Sequence, residues 1–144
     1  MRLGLNLIAL REQHRAGVET FARNVVGSLV SKVGDSVMVA MRKSVNPNVI
    51  LGEIFFRSNP KISLSRWPVR HTLVRIPTEM ILLGFRFYNC SVVLSINNFG
   101  PLFGRPGQRR LVVIHDVWFL EPTYNGPYYK KILFSIALMC FSNS

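Results

Sequence analysis

A histidine and an aspartate follow a run of four aliphatic residues late in the chain. His115 and Asp116 come directly after residues 111–114, a run that predicts a buried strand. A titratable pair at the end of such a strand can serve as general acid and base or can hold a sugar hydroxyl. The same pair can also be structural, with His115 bonded to a loop carbonyl and Asp116 capping a turn. Position alone leaves both roles open.

A second candidate site lies near the amino terminus, in a polar turn that ends at Gly17. Apolar side chains recur every three or four positions after it, which predicts a helix over residues 18–30. A glycine lets the backbone approach a ligand closely, and the first turn of a helix offers unpaired N–H groups to a phosphate. The alternative is ordinary turn geometry, because a single glycine has little specificity.

The elements that must position these residues alternate between strand and helix. The predicted strands, each a short apolar run, cover residues 3–10, 37–41, 91–96 and 111–114. The predicted helices, each with one apolar stripe, cover residues 18–30, 73–87 and 127–141. Pro77 either opens the second helix or kinks it. The segment at 42–68 has no sustained period and is expected to form short strands and loops.

This alternation predicts an α/β, Rossmann-like domain in which a mostly parallel sheet is flanked by helices. Ligands bind at the carboxyl edge of such sheets, and both candidate sites fall at that edge. The spacing of cysteine and histidine matches no zinc site, and no glycine-rich segment matches a P-loop or a dinucleotide fingerprint. Cys90 and Cys140 are expected to be free, buried thiols.

The chain has the composition of a packed domain. Its 144 residues are 49% hydrophobic and 17% charged, which excludes a disordered tail. No apolar stretch approaches the roughly 20 residues that cross a bilayer, and the first residues lack the small-residue cleavage site of a signal peptide. A cytoplasmic protein is therefore expected.

Positive charge is concentrated in the middle of the chain. The formal net charge is +11, and residues 42–110 hold eleven of the 18 Lys and Arg residues but two of the seven acidic residues. Such a field attracts nucleic acid, an acidic membrane leaflet or phosphorylated substrates, and charge alone does not choose among them. The basic segment at 57–86, which includes Trp67, would suit docking on an anionic leaflet. The alternative is a solvated cationic face.

Three segments resemble the large retaining glycosyltransferase family four. Residues 17–26 (GVETFARNVV) are similar to the turn and first helix of that family, and residues 113–124 (VIHDVWFLEPTY) resemble its His-Asp segment. Residues 98–101 (NFGP) are similar to the loop that often precedes this segment. The three matches occur in the order of the family. The chain departs from the family at Ala16-Gly17, where a glycine pair is common, and residues 42–70 match nothing.

The resemblance implies a GT-B architecture, in which two Rossmann-like domains face each other across a cleft. Residues 1–144 would then form a single, truncated acceptor-side domain, without the carboxyl-terminal nucleotide-sugar domain. The resemblance places Gly17 near the donor diphosphate and His115 in the cleft, with Asp116 beside it. It implies no metal and no cofactor other than the nucleotide sugar that serves as donor.

The implied activity is transfer of a hexose, such as mannose, from a nucleotide sugar to a lipid-linked or polysaccharide acceptor at the inner face of the plasma membrane. Two alternatives remain open. The chain can be an inactive, truncated remnant of such an enzyme, and we expect that these residues alone transfer no sugar. A small basic nucleic-acid-binding module also fits the charge, but the buried-strand pattern disfavours it and no nucleic-acid partner is expected.

Overall fold

The computed structural model describes residues 1–11, 17–33, 36–55 and 61–115, together with Ile132. The strands are β1 (Arg2–Asn6), β2 (Ser36–Arg42), β3 (Lys61–Trp67), β4 (Val92–Ser95) and β5 (Arg109–Val112). The helices are α1 (Gly17–Phe21, a π-helical segment Ala22–Val26, and Gly27–Val33), α2 (Pro47–Phe55) and α3 (Thr72–Pro77, a π-helical segment Thr78–Leu82, and Leu83–Arg86). Asp116, Cys140 and the helix expected at 127–141 lie outside the described residues, apart from Ile132.

The five strands are all parallel and lie in the order β3-β2-β1-β4-β5. The chain runs outward from β1 to β3, then returns through α3 and places β4 on the other side of β1. Because the order reverses between β1 and β4, the loops at the carboxyl ends of these two strands diverge and leave a crevice. We call this place the switch point. The arrangement confirms the predicted Rossmann-like α/β fold.

Helices cover both faces of the sheet. On one face α1 and α2 pack against buried strand residues such as Leu5 and Val39. On the other face α3 brings Leu83 and Phe87 against Met38 of β2. Successive strand residues point to opposite faces, so a strand buried on both faces is a nearly continuous apolar run. This burial explains why the sequence pattern predicts β2 and β4.

The first strand is shorter than predicted. β1 ends at Asn6, and residues 7–10 form a buried turn in which Leu10 N donates to Leu7 O at 3.1 Å. Leu7 and Leu10 belong to the core on the α1 side, whereas Ile8 belongs to the core on the α3 side. The apolar run at residues 3–10 therefore indicates burial on both faces of the sheet, and it does not indicate a longer strand.

The middle segment contains a helix that the sequence pattern did not predict. α2 begins at Pro47, directly after Asn46, whose side-chain oxygen accepts a hydrogen bond from Asn48 N at 3.0 Å. Asparagine followed by proline at the first helical position is a favoured helix start. Ile50 and Ile54 are buried on one side of this helix. A helix of nine residues is too short for its apolar residues to show a helical period in the sequence.

The second predicted helix is interrupted rather than opened by its proline. Pro77 lies inside α3, and the π-helical segment begins at the next residue. Thr78 Oγ1 donates to Val74 O at 2.8 Å, so a side chain takes part in the backbone bonding at this point. The predicted kink at Pro77 therefore corresponds to a change from α- to π-helical bonding.

The last described strand is an exposed edge and not the buried strand that was predicted. β5 begins and ends two residues earlier than expected, and Leu111 and Ile114 are 53% and 42% exposed. Within the described part of the chain, β5 pairs with β4 alone, which leaves its other side without a strand neighbour. His115 consequently lies three residues beyond the end of the strand.

Gly27 allows close packing of α1 on α2, which provides a test of the fold. A Cβ atom at Gly27 would overlap the backbone carbonyl oxygen of Ile54, which cannot rotate away. We expect Gly27→Ala to lower the free energy of unfolding by about 1–3 kcal/mol, measured by urea denaturation. Gly52→Ala on α2 is the matched control, because its Cβ would meet open space. Equal effects of the two substitutions would contradict the close approach.

Candidate functional site

Buried polar side chains fill the switch point. Asn6 ends β1 and Ser95 ends β4, and the two residues are direct partners in the parallel register. Glu79 reaches them from α3, and all three residues are at most 2% exposed. Arg42 at the end of β2 and Arg75 on α3 lie beside Glu79. We call these five residues the switch-point cluster.

Asn6 is the centre of the cluster because its amide contacts three other segments. Its Nδ2 donates to Glu79 Oε2 at 3.0 Å and lies 3.4 Å from Phe99 O and 3.5 Å from Ser95 Oγ. Its Oδ1 accepts a hydrogen bond from Ile8 N at 3.2 Å. A backbone N–H needs an acceptor, so this last contact determines which side of the amide carries oxygen. One side chain thus joins β1 to α3, to β4 and to the loop at 97–101.

Glu79 is an isolated acid in the basic part of the chain, since no other Asp or Glu occurs between Glu53 and Asp116. Its Oε1 lies 3.1 Å from Arg75 Nε, although these two atoms are not aligned for a hydrogen bond. Burial raises the pKa of Glu79 to about 7, and the charge of Arg75 offsets part of this effect. The carboxyl group therefore exchanges a proton near neutral pH.

Guanidinium groups outnumber the carboxyl groups at this edge. Arg42 Nε donates to Ile8 O at 2.7 Å, and burial, together with the charges of Arg75 and Arg11, lowers the pKa of Arg42. Arg42 thus interacts with both Arg75 and Arg11. Two carboxyl groups lie at this edge, that of Glu79 and that of the buried Glu19, which accepts a hydrogen bond from Arg11 N. The resulting field is positive and attracts an anionic ligand to the crevice.

His115 lies at the same edge and contacts two other segments. Its backbone N donates to Asn98 Oδ1 at 3.0 Å, and its Nε2 lies 2.7 Å from Ile96 O. Its ring meets Phe21 of α1 edge-on, with 5.6 Å between the ring centroids. Because a carbonyl oxygen accepts but cannot donate, Nε2 carries the proton, and Nδ1 of the neutral ring is an acceptor. The loop-carbonyl contact of the structural interpretation is therefore present, and it uses one of the two ring nitrogens.

Gly17 begins α1, one helical turn before Phe21. Among the described residues, no atom outside the helix's own backbone and the chain neighbours of Gly17 lies within 4 Å of the position that a Cβ would take there, and its φ is not in the left-handed region. The described structure therefore does not require glycine here. Because Phe21 contacts His115, the structure brings the first turns of α1 to the same edge as the histidine. Asp116, which the sequence placed beside His115, lies outside the described residues.

The loop at 97–101 connects the switch-point cluster to the histidine. Asn98 holds the backbone of His115, and the carbonyl of the neighbouring Phe99 lies against the amide of the cluster's asparagine. Gly100 lies so close to Ser95 that a Cβ would come within 2.5 Å of the serine Oγ. A displacement of this loop would consequently move His115.

The switch-point cluster was not predicted from the sequence, although two signals were available. Asn6 interrupts an apolar strand, and Glu79 is an acid in an otherwise apolar and basic helix. Nothing in a linear pattern pairs the two residues, because 73 positions separate them.

Within the described ranges, no group of three or more His, Cys, Asp or Glu side chains is arranged to hold a metal ion. The helices of those ranges are all too short or too polar to cross a bilayer. Comparison of the chain with models of protein families, with curated proteins and with solved structures found no match.

The burial of Glu79 predicts a pH-dependent contribution to stability. Its pKa rises from 4.5 to about 7 on folding, so the folded state binds this proton more tightly than the unfolded state. The stabilising contribution is complete below the unfolded pKa and is lost as the pH rises through the folded pKa, at about 1.4 kcal/mol per unit of difference.

Glu79→Gln removes the titrating proton and keeps the shape of the side chain. The gap in unfolding free energy between the wild type and this variant should therefore change between about pH 5 and pH 8, in favour of the variant as the pH rises. Glu53→Gln, at a partly exposed carboxylate, is the control. A gap that stays constant over this range would mean that Glu79 does not titrate there.

Proposed function

We propose that the chain is the acceptor-side domain of a hexosyltransferase, which moves a hexose such as mannose from a nucleotide sugar to a lipid-linked or polysaccharide acceptor. One observation carries the proposal. The first turns of α1, the loop at 97–101 and His115 meet at the carboxyl edge of a parallel sheet, beside a positively charged switch point. These are also the segments that resemble glycosyltransferase family four, so the resemblance supports the same assignment.

The charge of the edge suits the diphosphate of a nucleotide sugar. Arg42 interacts there with Arg75 and Arg11, so three guanidinium groups accompany the two buried carboxyl groups of Glu79 and Glu19. The amino-terminal turn of α1 adds backbone N–H groups and the positive end of a helix dipole, which the carboxyl group of Glu19 in the same turn partly offsets. In the proposal, the diphosphate lies near Gly17, where the described part of the chain leaves space beside the backbone.

His115 is proposed to hold a hydroxyl group of the transferred hexose. The contact between Nε2 and Ile96 O, at 2.7 Å, orients the ring and makes Nδ1 its acceptor. An acceptor that is in place before the substrate arrives stabilises the transition state without reorganisation. Asp116 is proposed to act beside it in the cleft.

The role of Gly17 is tested by adding one methyl group. Gly17→Ala should leave the fold as stable as before, or slightly more stable, because the space is open and alanine favours a helix. An acceptor-side domain should bind GDP-mannose and GDP weakly, and the substitution should weaken both further by roughly fivefold or more, which corresponds to about 1 kcal/mol. Calorimetric titration measures both affinities, with Gly52→Ala as the control. Unchanged affinity for both ligands would exclude Gly17 from the diphosphate site.

Two substitutions at His115 separate a function from a structural role. His115→Gln keeps an N–H that can reach Ile96 O but removes the acceptor at Nδ1, whereas His115→Ala removes both. We expect the glutamine variant to keep its stability, to bind GDP normally and to bind GDP-mannose roughly tenfold more weakly, because a hydrogen bond to the sugar is lost. UDP-glucose and UDP form a second ligand pair for the same comparison.

The opposite pattern would show that His115 is structural. In that case His115→Ala unfolds at a lower temperature, and every variant that remains folded binds the nucleotide sugars as the wild type does. Preference of the wild type for nucleic acid over all four nucleotides would favour the nucleic-acid alternative.

A further inference from the structure

The outer face of α3 is apolar although it faces solvent. Inward-pointing residues such as Leu83 and Phe87 already form the core on this side of the sheet. The exposed large apolar side chains of α3 and the turn after it, with their exposed fractions, are Leu73 (61%), Val74 (54%), Ile81 (48%), Leu82 (45%), Phe85 (68%) and Tyr88 (49%). A surface helix of a globular domain normally has a polar outer face. An apolar stripe of this length marks an interaction surface.

The charged groups beside this stripe are all cations in the described structure. Arg70 and Arg86 are exposed near its two ends, whereas Glu79, the acid of α3, is completely buried. The neighbouring strand β3 adds the exposed Lys61, which is in phase with the residues of β3 that face α3. Cations that flank an apolar stripe fit a surface that has anionic headgroups above hydrocarbon.

An open groove between α3 and β3 adds unpaired hydrogen-bond donors to this surface. The groove has a volume of about 560 Å³, and its lining includes Met38, Trp67, Phe85 and the arginines at positions 2 and 86. Trp67 Nε1 and Arg2 Nε are buried, and neither has an acceptor within the described part of the chain. Buried donors normally have a partner, so an acceptor from outside the chain would stabilise the groove. The oxygens of a lipid phosphate are acceptors of this kind.

We propose that the outer face of α3, together with this groove, binds an anionic membrane surface. The apolar stripe enters the boundary between headgroups and acyl chains, Arg70 and Arg86 contact the headgroups, and a lipid phosphate lies in the groove. A second copy of the chain fits less well, because it would bring the same arginines together. The inference goes beyond the proposed function and does not depend on it, since it uses none of the residues assigned to the nucleotide sugar.

Vesicle co-sedimentation tests the surface directly. The purified chain is mixed with vesicles of phosphatidylcholine, or of an equal mixture of phosphatidylcholine and phosphatidylglycerol. Binding to the anionic vesicles should be roughly thirtyfold tighter, which is the factor expected for two arginines near the surface. It should weaken strongly at about 1 M salt, where the screening length is about 3 Å. Equal binding to both vesicles, or indifference to salt, overturns the proposal.

Paired variants locate the binding on α3. Leu82→Ser with Phe85→Ser should weaken binding by roughly tenfold or more through the loss of buried apolar area. Val25→Ser with Val49→Ser changes two apolar residues that are each 43% exposed on the opposite face, and binding should not change. Arg86→Gln should weaken it by roughly fivefold and tests the site without altering an apolar side chain. Equal losses from both serine pairs, or no loss with Arg86→Gln, overturn the assignment.

Two further outcomes identify a different occupant. A dimer that disappears in the Leu82→Ser, Phe85→Ser variant, without vesicle binding by the wild type, would make this face a contact between copies. Nucleic-acid binding that is lost with the same variant, again without vesicle binding, would make it a nucleic-acid surface. Affinity for GDP-mannose should be the same in the wild type and in this variant, so failure of the membrane proposal is distinguishable from failure of the sugar-transfer proposal.

Discussion

The buried hydrogen bond from Asn6 to Glu79 sets the position of α3 relative to the sheet. Apolar packing alone tolerates small shifts of a helix, but a carboxyl group that is 0% exposed and a neighbouring amide need each other at hydrogen-bond distance. Separating them would leave the buried carboxyl group of Glu79 without its hydrogen-bond donor, which costs more than one such bond contributes. The bond therefore selects one arrangement of the two elements among many that bury similar apolar area.

The crevice at the switch point depends on this arrangement. Asn6 also contacts the carbonyl of Phe99, so the loop at 97–101 is held by the same amide that holds α3. The loop in turn holds the backbone of His115 through Asn98. The cluster beneath the crevice carries more arginines than acids, and the proton on Glu79 is lost only near neutral pH. The switch-point cluster thus determines both the position of the candidate site and its charge.

The elements that could be predicted from the sequence are those whose pattern follows from burial. β2 and β4 are buried on both faces and can be recognised as continuous apolar runs. α1 is buried on one face, so its apolar residues recur every three or four positions. The end of β1 could not be predicted, because Leu7, Ile8 and Leu10 are buried in a turn as fully as the strand residues are. Gly17 and His115 could be placed at one edge, since the carboxyl ends of parallel strands meet there. The contact of Asn6 with Glu79 could not, because it joins residues 73 positions apart and depends on the packing of α3.

The buried contacts of Asn6, with Glu79 and with the carbonyl of Phe99, position the loop at 97–101 and, through it, His115. The most direct measurement is the amide proton–nitrogen correlation spectrum of the double variant Asn6→Leu, Glu79→Met, in which both members of the pair become apolar. We expect large shifts or broadening of the amide signals of Asn98, Phe99 and His115, while the signals of β3 and α2 stay in place. Signals of these three residues at their wild-type positions, in a folded variant, would contradict this positioning.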